Sequence, residues 1–134
     1  MDMWGVGCVF FEMLSLYPLF PGEENEISQV KKIFGVLGHP PKALLDRWKK
    51  QASHINFDFS GIKDKKKSLE KVLSHVSGEC ADLIEKMLVY DPEQRITASQ
   101  ARKHSYFKEL RDDEVKRYRH INTIRDRDRE NSVS

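Results

Sequence analysis

The segment from Leu88 to Phe107, LVYDPEQRITASQARKHSYF, constrains the fold more than any other part of the chain. Its pattern predicts the end of one helix, a tight turn, a short second helix and an aromatic stop. Asp91-Pro92 predicts the turn, because proline fixes its own φ and moves the preceding residue out of the α region. We expect Asp91 to accept hydrogen bonds from backbone amides just after it. Thr97 is expected to cap a helix from Ala98 to His104.

Arg95 lies between this turn and this cap, flanked by Pro92 and Ile96. An isolated arginine in a loop is most often an exposed surface residue. In so compact a setting we instead expect a carboxylate to anchor the guanidinium, often through two hydrogen bonds. Ala101 and Phe107 continue the apolar spacing of the helix that follows.

Composition limits the classes of protein to which the chain can belong. Its 134 residues make one domain or part of one. Charged residues are 33% and hydrophobic residues 39% of the sequence, which is ordinary for a soluble protein. The net charge of +2 gives no reason to expect nucleic acid or an anionic membrane as a partner. Apolar runs stay below about 18 residues, so we expect no membrane span.

The cysteines and histidines predict neither a disulfide nor a metal site. Cys8 and Cys80 lie in apolar helical stretches, where thiols usually behave as small buried hydrophobic groups in a reducing compartment. A bridge between them remains the less favoured alternative. The five histidines lack the spacing of metal ligands.

The N-terminal stretch from Met3 to Tyr17 predicts a buried helix. Asp2 precedes it and Glu12 interrupts it, which argues against a secretory signal. Apolar residues follow the helical period at Val6, Val9, Phe10 and Met13. Others cover the remaining sides, so the helix must be buried almost all round. The rest of the chain offers too little cover, and we expect the isolated chain to be marginally stable or to associate.

Two further helices are predicted by apolar periodicity. The first runs from Glu26 to Leu37, with Gly38 as its stop and Pro40-Pro41 preventing continuation. The second runs from Glu79 to Val89, with Ser77 as its candidate cap.

The polar stretch between these helices, from Lys49 to Ser77, predicts an irregular insertion with one helical turn near Leu69 to Leu73. It contains the basic run Lys63 to Lys67. After Phe107 the chain is highly charged, which predicts either a solvated helix or a disordered tail. No strand is required, and the predicted fold is all-α with four helices. The expected boundaries are residues 1–108 for the folded part and residues 109–134 for the tail.

Several motifs resemble the C-terminal lobe of a eukaryotic protein kinase. Asp2-Met3-Trp4-Gly5-Val6-Gly7-Cys8 is similar to the start of the central F helix. PLFPG, at residues 18–22, resembles the next loop in the CMGC group, which includes the cyclin-dependent and mitogen-activated kinases. The G helix of this group resembles residues 26–37, and the group's insert resembles residues 42–77. The H helix resembles residues 79–89, and the I helix resembles residues 97–104. MDMWGVGCVFFEMLSLYPLFPG, NFDF and YDPEQRITASQARKHSYF look most like the MOK branch, near the MAK-type kinases.

The resemblance covers roughly residues 1–108 and implies the C-lobe portion of a kinase domain, helices F to I plus the insert, which is an incomplete domain. The Gly-rich loop, strand lysine, HRD loop and DFG aspartate of a kinase have no counterpart in the sequence. We therefore expect no catalytic, cofactor-binding or metal-binding residue here. ATP and Mg²⁺ would belong to the full-length parent.

The matching residues have supporting roles in the family. Asp2 matches the aspartate that hydrogen-bonds the catalytic loop, and Arg95 matches the arginine that pairs with a glutamate ending the activation segment. Because neither partner is in the sequence, we expect both side chains to turn to solvent or to draw in water. The other structural positions are Trp4, Gly7, Asp91, Pro92, His104 and Phe107. Gly5 departs from the family's usual serine, which removes a hydroxyl near the catalytic loop and leaves the activity of the parent open.

Three functions are compatible with this sequence. It is part of an active serine/threonine kinase, or a non-catalytic interaction module derived from a C-lobe, or an unrelated all-α domain. The ordered motifs favour the first two. The expected partners are the N-terminal part of the kinase and protein substrates or regulators that contact the G helix and the insert. The expected location is the cytoplasm. Nuclear import through Lys63 to Lys67 is the less favoured alternative to an exposed loop.

Overall fold

A computed structural model describes residues 2–22, 24–54 and 69–132. These ranges contain seven α-helices, one 3₁₀ turn and no strand, which confirms the all-α prediction. The α-helices are α1 Met3–Ser15, α2 Glu26–Leu37, α3 Lys42–Gln51, α4 Leu69–Val72, α5 Gly78–Met87, α6 Ala98–Arg102 and α7 Lys108–Ser132; the 3₁₀ turn is Ser105–Phe107. The chain divides into two compact units, Met1–Ala98 and Ser99–Ser134.

Short polar side chains fix the starts of three helices in the first unit, α1, α2 and α5. Asp2 accepts a hydrogen bond from the Trp4 amide at 3.0 Å, and Asn25 accepts one from the Ser28 amide at 2.9 Å. Ser77 accepts from the Cys80 amide at 3.2 Å, which confirms it as the cap of α5. Each of these bonds satisfies an amide that has no partner inside its helix. Gly38 ends α2 with a φ of 83°, a conformation that favours glycine over residues with a Cβ.

The number of helices differs from the prediction of four. Helix α3 was not predicted, although the prolines that end α2 also favour the start of a new helix after Pro41. The predicted turn near Leu69 is α4. Helix α6 ends at Arg102 and not at His104, whose side chain instead caps the 3₁₀ turn. NFDF and the run Lys63 to Lys67 lie outside the described residues.

The core of the first unit lies where α1 packs against α5. Phe11, Leu83 and Ile84 are fully enclosed there. At about 25 cal/mol per Å² of apolar surface, burial of one such side chain stabilises the fold by roughly 1.5–3 kcal/mol. The packing brings the first residues of the chain next to the turn that follows α5.

Helix α1 is buried on one side only, which agrees with the expectation that the rest of the chain offers too little cover for it. Its buried residues are Met3, Gly7 and Phe11, which lie on one side. Val9 and Met13 are 58% and 71% exposed, although their spacing had suggested a core face. Periodicity finds an apolar face but does not say which neighbour covers it. The described part of the chain supplies neighbours for only one side.

The second unit is dominated by α7, a helix of 25 residues. Charged side chains of both signs cover most of this helix. In the described ranges, no helix combines the length and the apolar composition needed to cross a bilayer.

Candidate functional site

Arg95 lies at the centre of the candidate site, in the turn after α5. Its Nε donates to the carbonyl oxygen of Val89 at 2.9 Å, and one terminal nitrogen donates to the carbonyl of Tyr90 at 3.3 Å. These carbonyls belong to the chain just before Asp91-Pro92, where the helical hydrogen bonds have ended. The guanidinium therefore stabilises the turn by occupying backbone acceptors that the helix leaves free.

Two residues from the start of α1 complete the surroundings of Arg95. The guanidinium carbon lies 5.4 Å from the centre of the Trp4 ring, within the range of a cation–π interaction. The other terminal nitrogen lies 3.6 Å from a carboxylate oxygen of Asp2. The Arg95 side chain is 17% exposed and that of Asp2 is 71% exposed.

These contacts correct two expectations about Arg95. The anchor is a pair of backbone carbonyls and an aromatic face, with the carboxylate as a long ion pair and not a two-bonded partner. Arg95 also does not turn to solvent, because the backbone carbonyls satisfy its donors. Only Asp2 remains largely exposed, where its carboxylate caps α1 and faces Arg95 at the same time.

A cluster of aromatic rings joins this site to three helices. Trp4 stacks on Phe20 and Tyr90, with ring centres 6.0 and 5.9 Å apart. Tyr90 also presents its ring to Phe34 of α2 and Trp48 of α3, at 5.9 and 6.3 Å between centres. Aromatic contacts of this kind add roughly 0.5–1.5 kcal/mol each beyond burial. The cluster links α1, α2 and α3 to the turn that holds Arg95.

The Tyr90 hydroxyl donates a 2.7 Å hydrogen bond to the carbonyl of Gly38, the residue that ends α2. We expect Tyr90→Phe to lower the free energy of unfolding by about 1 kcal/mol at pH 7, because the carbonyl of buried Gly38 loses its donor. Urea denaturation measures this change. An unchanged midpoint in the variant would contradict a stabilising role for the bond.

The Tyr90→Phe variant should also lose one contribution to the pH dependence of the free energy of unfolding. Burial raises the pKa of the Tyr90 phenol above its ordinary value of about 10. The folded state therefore holds the proton more tightly, and this contribution to stability is complete below about pH 10 and lost as the pH rises above it. Because phenylalanine does not ionise, the difference between Tyr90→Phe and the unmodified chain should shrink above pH 10.

Gly7 lies where α1 approaches α5 most closely. A Cβ built on Gly7 would lie 2.8 Å from the Met87 Cβ and 3.1 Å from a methyl group of Leu88. Side chains do not tolerate the first distance, so the two helices can pack at this separation only with glycine. Gly7 is thus a packing position, while Gly5 has only the Asp2 carboxylate nearby, at 3.4 Å.

Asp91 behaves as its position before proline predicts. One carboxylate oxygen accepts a 3.1 Å hydrogen bond from the Glu93 amide, and the other pairs with Arg47 of α3 at 2.8 Å. Pro92 is exposed at the start of the turn. Asp91 therefore fixes the turn from within and joins it to α3, a contact that could not be predicted without α3.

His104 and Phe107 belong to the second unit. The His104 Nδ1 accepts a 3.2 Å hydrogen bond from the Tyr106 amide, and Phe107 meets the Tyr106 ring edge-on at 4.9 Å. Arg111 of α7 donates to the carbonyls of Arg102 and His104 at 2.7 and 2.8 Å. These contacts fasten the start of α7 to the end of α6.

An apolar groove of about 660 Å³ opens between α2, α3, α4 and α5. Its apolar lining includes Val36, Leu37, Leu44, Leu69, Leu88 and Val89. Arg47, Glu85 and Asp91 also border it. Apolar clefts with a few polar groups are the usual form of binding sites. The groove was not predicted from the sequence because helix α3, which was itself not predicted, supplies part of its wall.

Among the described residues, no group of three His, Cys, Asp or Glu side chains is placed to hold a metal ion. Neither Cys8 nor Cys80 forms a disulfide, and burial, with a smaller effect of Asp2, raises the pKa of Cys8. A raised pKa disfavours the nucleophilic thiolate.

Comparison with known proteins matches residues 1–107 to the protein kinase domain. The human MAPK/MAK/MRK overlapping kinase is 43% identical over 111 residues, which is 83% of this chain and 26% of that protein. Rat mitogen-activated protein kinase 12 is 38% identical over 96% of this chain and 35% of its own length. Cyclin-dependent kinase E-1 of Arabidopsis thaliana is 40% identical over 80% of this chain and 25% of its own length.

Among solved structures, the MAP kinase LmaMPK10 of Leishmania major superposes with a TM-score of 0.68 at 31% identity. The match covers 81% of this chain and 35% of that one. The chain thus spans about a quarter to a third of the length of its curated relatives. The matched residues include the Arg95 turn and the Gly7 contact. The chain belongs to the protein kinase family, in the CMGC group, and resembles its MOK-like branch.

Proposed function

We propose that this chain is the C-lobe region of a serine/threonine kinase that transfers the γ-phosphoryl group of ATP to a protein hydroxyl. Within that enzyme the chain supplies a scaffold and a docking surface. It holds none of the groups that bind the nucleotide or accept the substrate proton. These roles belong to other parts of a kinase domain.

The arrangement of Asp2, Trp4 and Arg95 is the observation that supports this proposal most directly. The guanidinium is fixed by two backbone carbonyls, while its contact to Asp2 is long at 3.6 Å. A rigidly held arginine with a weakly engaged end is suited to bind an incoming carboxylate. The exposed Asp2 carboxylate is suited to accept backbone amides. The family resemblance assigns these incoming groups to the activation segment and the catalytic loop.

The exposed side of α1 supports the same proposal. Val9 and Met13 are exposed apolar residues one turn apart, with Glu12 beside them, and Leu16 is exposed at the end of the helix. Faces of this kind mark interaction surfaces in soluble proteins. In the proposed enzyme, the N-terminal part of the kinase domain covers this face. The three functional elements, the arginine, the aspartate and the apolar face, would then be completed by one partner.

The docking role is assigned to α2 and the nearby groove. Ile27, in the first turn of α2, is 57% exposed, and the groove begins at the other end of the same helix. Protein substrates or regulators are the partners that we propose for this surface. We place the enzyme in the cytoplasm, with the nucleus as the alternative location.

The proposal is tested first by nucleotide binding. We expect Mg²⁺-ATP to leave the thermal midpoint of the 134-residue chain unchanged, because its sequence has no Gly-rich loop, strand lysine or DFG aspartate. A ligand at 100 times its dissociation constant would stabilise the chain by about 2.7 kcal/mol, a shift that differential scanning fluorimetry resolves easily. Clear stabilisation by Mg²⁺-ATP would refute this assignment of roles.

The second test of the proposal uses a longer protein that contains this sequence. If transcripts join this sequence in frame to an upstream HRD and DFG segment, that product should phosphorylate a generic protein substrate, and Arg95→Ala should reduce its activity. A product without such a segment would favour the alternative, a non-catalytic interaction module. The apolar groove and the exposed face of α1 are the observations that support that alternative.

A further inference from the structure

Helix α7 carries an apolar stripe that its own unit leaves open. Leu110, Tyr118 and Ile121 are 67%, 62% and 46% exposed. Leu110 and Ile121 are eleven residues apart, which is three turns of an α-helix, so they point in almost the same direction. Tyr118 follows Leu110 by about two turns and lies beside Ile121. Val115 and Ile124 lie farther round the helix, one on each side of the stripe.

Charged residues of both signs interrupt this stripe: Glu114 and Arg125 lie along its middle, and Arg117, two turns after Leu110, lies at its edge and also borders the groove. Glu114 lies between Leu110 and Tyr118, one turn from each, and Arg125 lies one turn after Ile121. Glu114 and Arg125 are also eleven residues apart, so both lie on the line of the apolar residues. A shallow groove of about 480 Å³ runs along this line and is bordered by Leu110, Glu114, Tyr118 and Ile121.

We propose that α7 pairs antiparallel with α7 of a second copy of this chain. In one register, Glu114 of each copy faces Arg125 of the other, and the same register places Tyr118 opposite Ile121. The two-fold axis then passes between residues 119 and 120. Each contact occurs twice, as in any isologous interface. The stripe is therefore complementary to its own copy in shape and in charge.

Charge selects this orientation over the parallel one. A parallel pair would place Glu114 against Glu114 and Arg125 against Arg125, and like charges across a helix interface oppose association. Residues 115–125 of α7 carry basic charges only, but over the whole helix eight Lys and Arg side chains are balanced by seven Asp and Glu. The helix as a whole therefore lacks the net basic excess that binding to an anionic membrane or nucleic acid requires. A second copy is thus the occupant that the charges favour.

The test is sedimentation velocity of the full chain over a range of concentrations, with two single charge reversals, Glu114→Arg and Arg125→Glu. We expect the unmodified chain to form dimers at high concentration and each single variant to dimerise about ten-fold more weakly, since each reversal turns two attractive contacts into repulsive ones. An equimolar mixture of the two variants should dimerise again, because their charges complement each other. The variant that carries both reversals, Glu114→Arg and Arg125→Glu, should also dimerise as strongly as the unmodified chain. This recovery is expected only for the antiparallel arrangement.

Arg119→Glu is the matched control, because it makes the same charge reversal in the middle of α7 on the side away from the stripe. It should dimerise like the unmodified chain. Circular dichroism establishes that each variant keeps its helix. A monomeric unmodified chain at all concentrations overturns the proposal. So does dimerisation of the single variants at full strength, which would place the contact elsewhere, for example on α1.

Discussion

Replacement of Gly7 by valine should lower the free energy of unfolding by about 3 kcal/mol or more, as judged from urea denaturation. A Cβ at this position would approach the Met87 Cβ to 2.8 Å, and valine adds two methyl groups beyond it. Met87 and Leu88 are almost fully buried and have no space to move away. Overpacking of a filled interior forces the backbone of α1 away from α5.

Gly35→Ala is the matched control for this prediction. Gly35 also lies inside a helix, α2, but a Cβ there meets no atom within 4 Å. Alanine removes the entropic cost of a helical glycine, so this variant should be more stable by about 0.5–1 kcal/mol. Opposite signs for the two substitutions would separate close helix packing from helix propensity. A stabilised Gly7→Val variant would show that α1 and α5 do not pack at the described distance.

Helices α1, α2 and α5 could be predicted from the sequence because each has an apolar period and a recognisable end. Helix α3, KALLDRWKKQ, has only three large apolar residues among its charges, and its N-terminus lacks a side-chain cap. Leu44 and Trp48 are one turn apart, and that pair, together with the preceding prolines, was the available signal. Its stability comes from contacts such as Trp48 with Tyr90. Contacts of this kind depend on residues far away in the sequence.

The residues of the candidate site could be predicted from the sequence, but the hydrogen bonds and ion pairs that they form could not. The sequence order indicated that Asp2, Trp4 and Arg95 matter, and the structure brings these three together. The direction of a backbone carbonyl, however, depends on how α5 ends, and residue types alone do not specify it. For this reason a carboxylate was expected where two carbonyls bind. The groove could not be predicted for a similar reason, since part of its wall is α3, a helix that tertiary contacts stabilise.

Arg95→Ala is expected to destabilise the first unit by about 3 kcal/mol in urea denaturation. The substitution removes two hydrogen bonds from a charged donor, each worth roughly 1.5–3 kcal/mol at most, and a cation–π contact of about 0.5–2 kcal/mol. Water reaching the freed carbonyls recovers part of this loss. Arg95→Lys should recover less than half of the stability, because a single ammonium group cannot span the carbonyls of Val89 and Tyr90 and still cover the Trp4 face.

Arg47→Ala provides the comparison that separates anchoring from simple charge removal. The Arg47→Ala substitution also removes one positive charge. Arg47 forms ion pairs with Asp91 and Glu93, but its side chain is 41% exposed to solvent. Exposed ion pairs contribute about 0–1 kcal/mol, so this variant should change the free energy of unfolding by less than a third of the Arg95→Ala effect. If the two variants lost equal stability, net charge and not the backbone contacts would explain the role of Arg95. A larger loss for Arg95 assigns that role to the geometry of the turn.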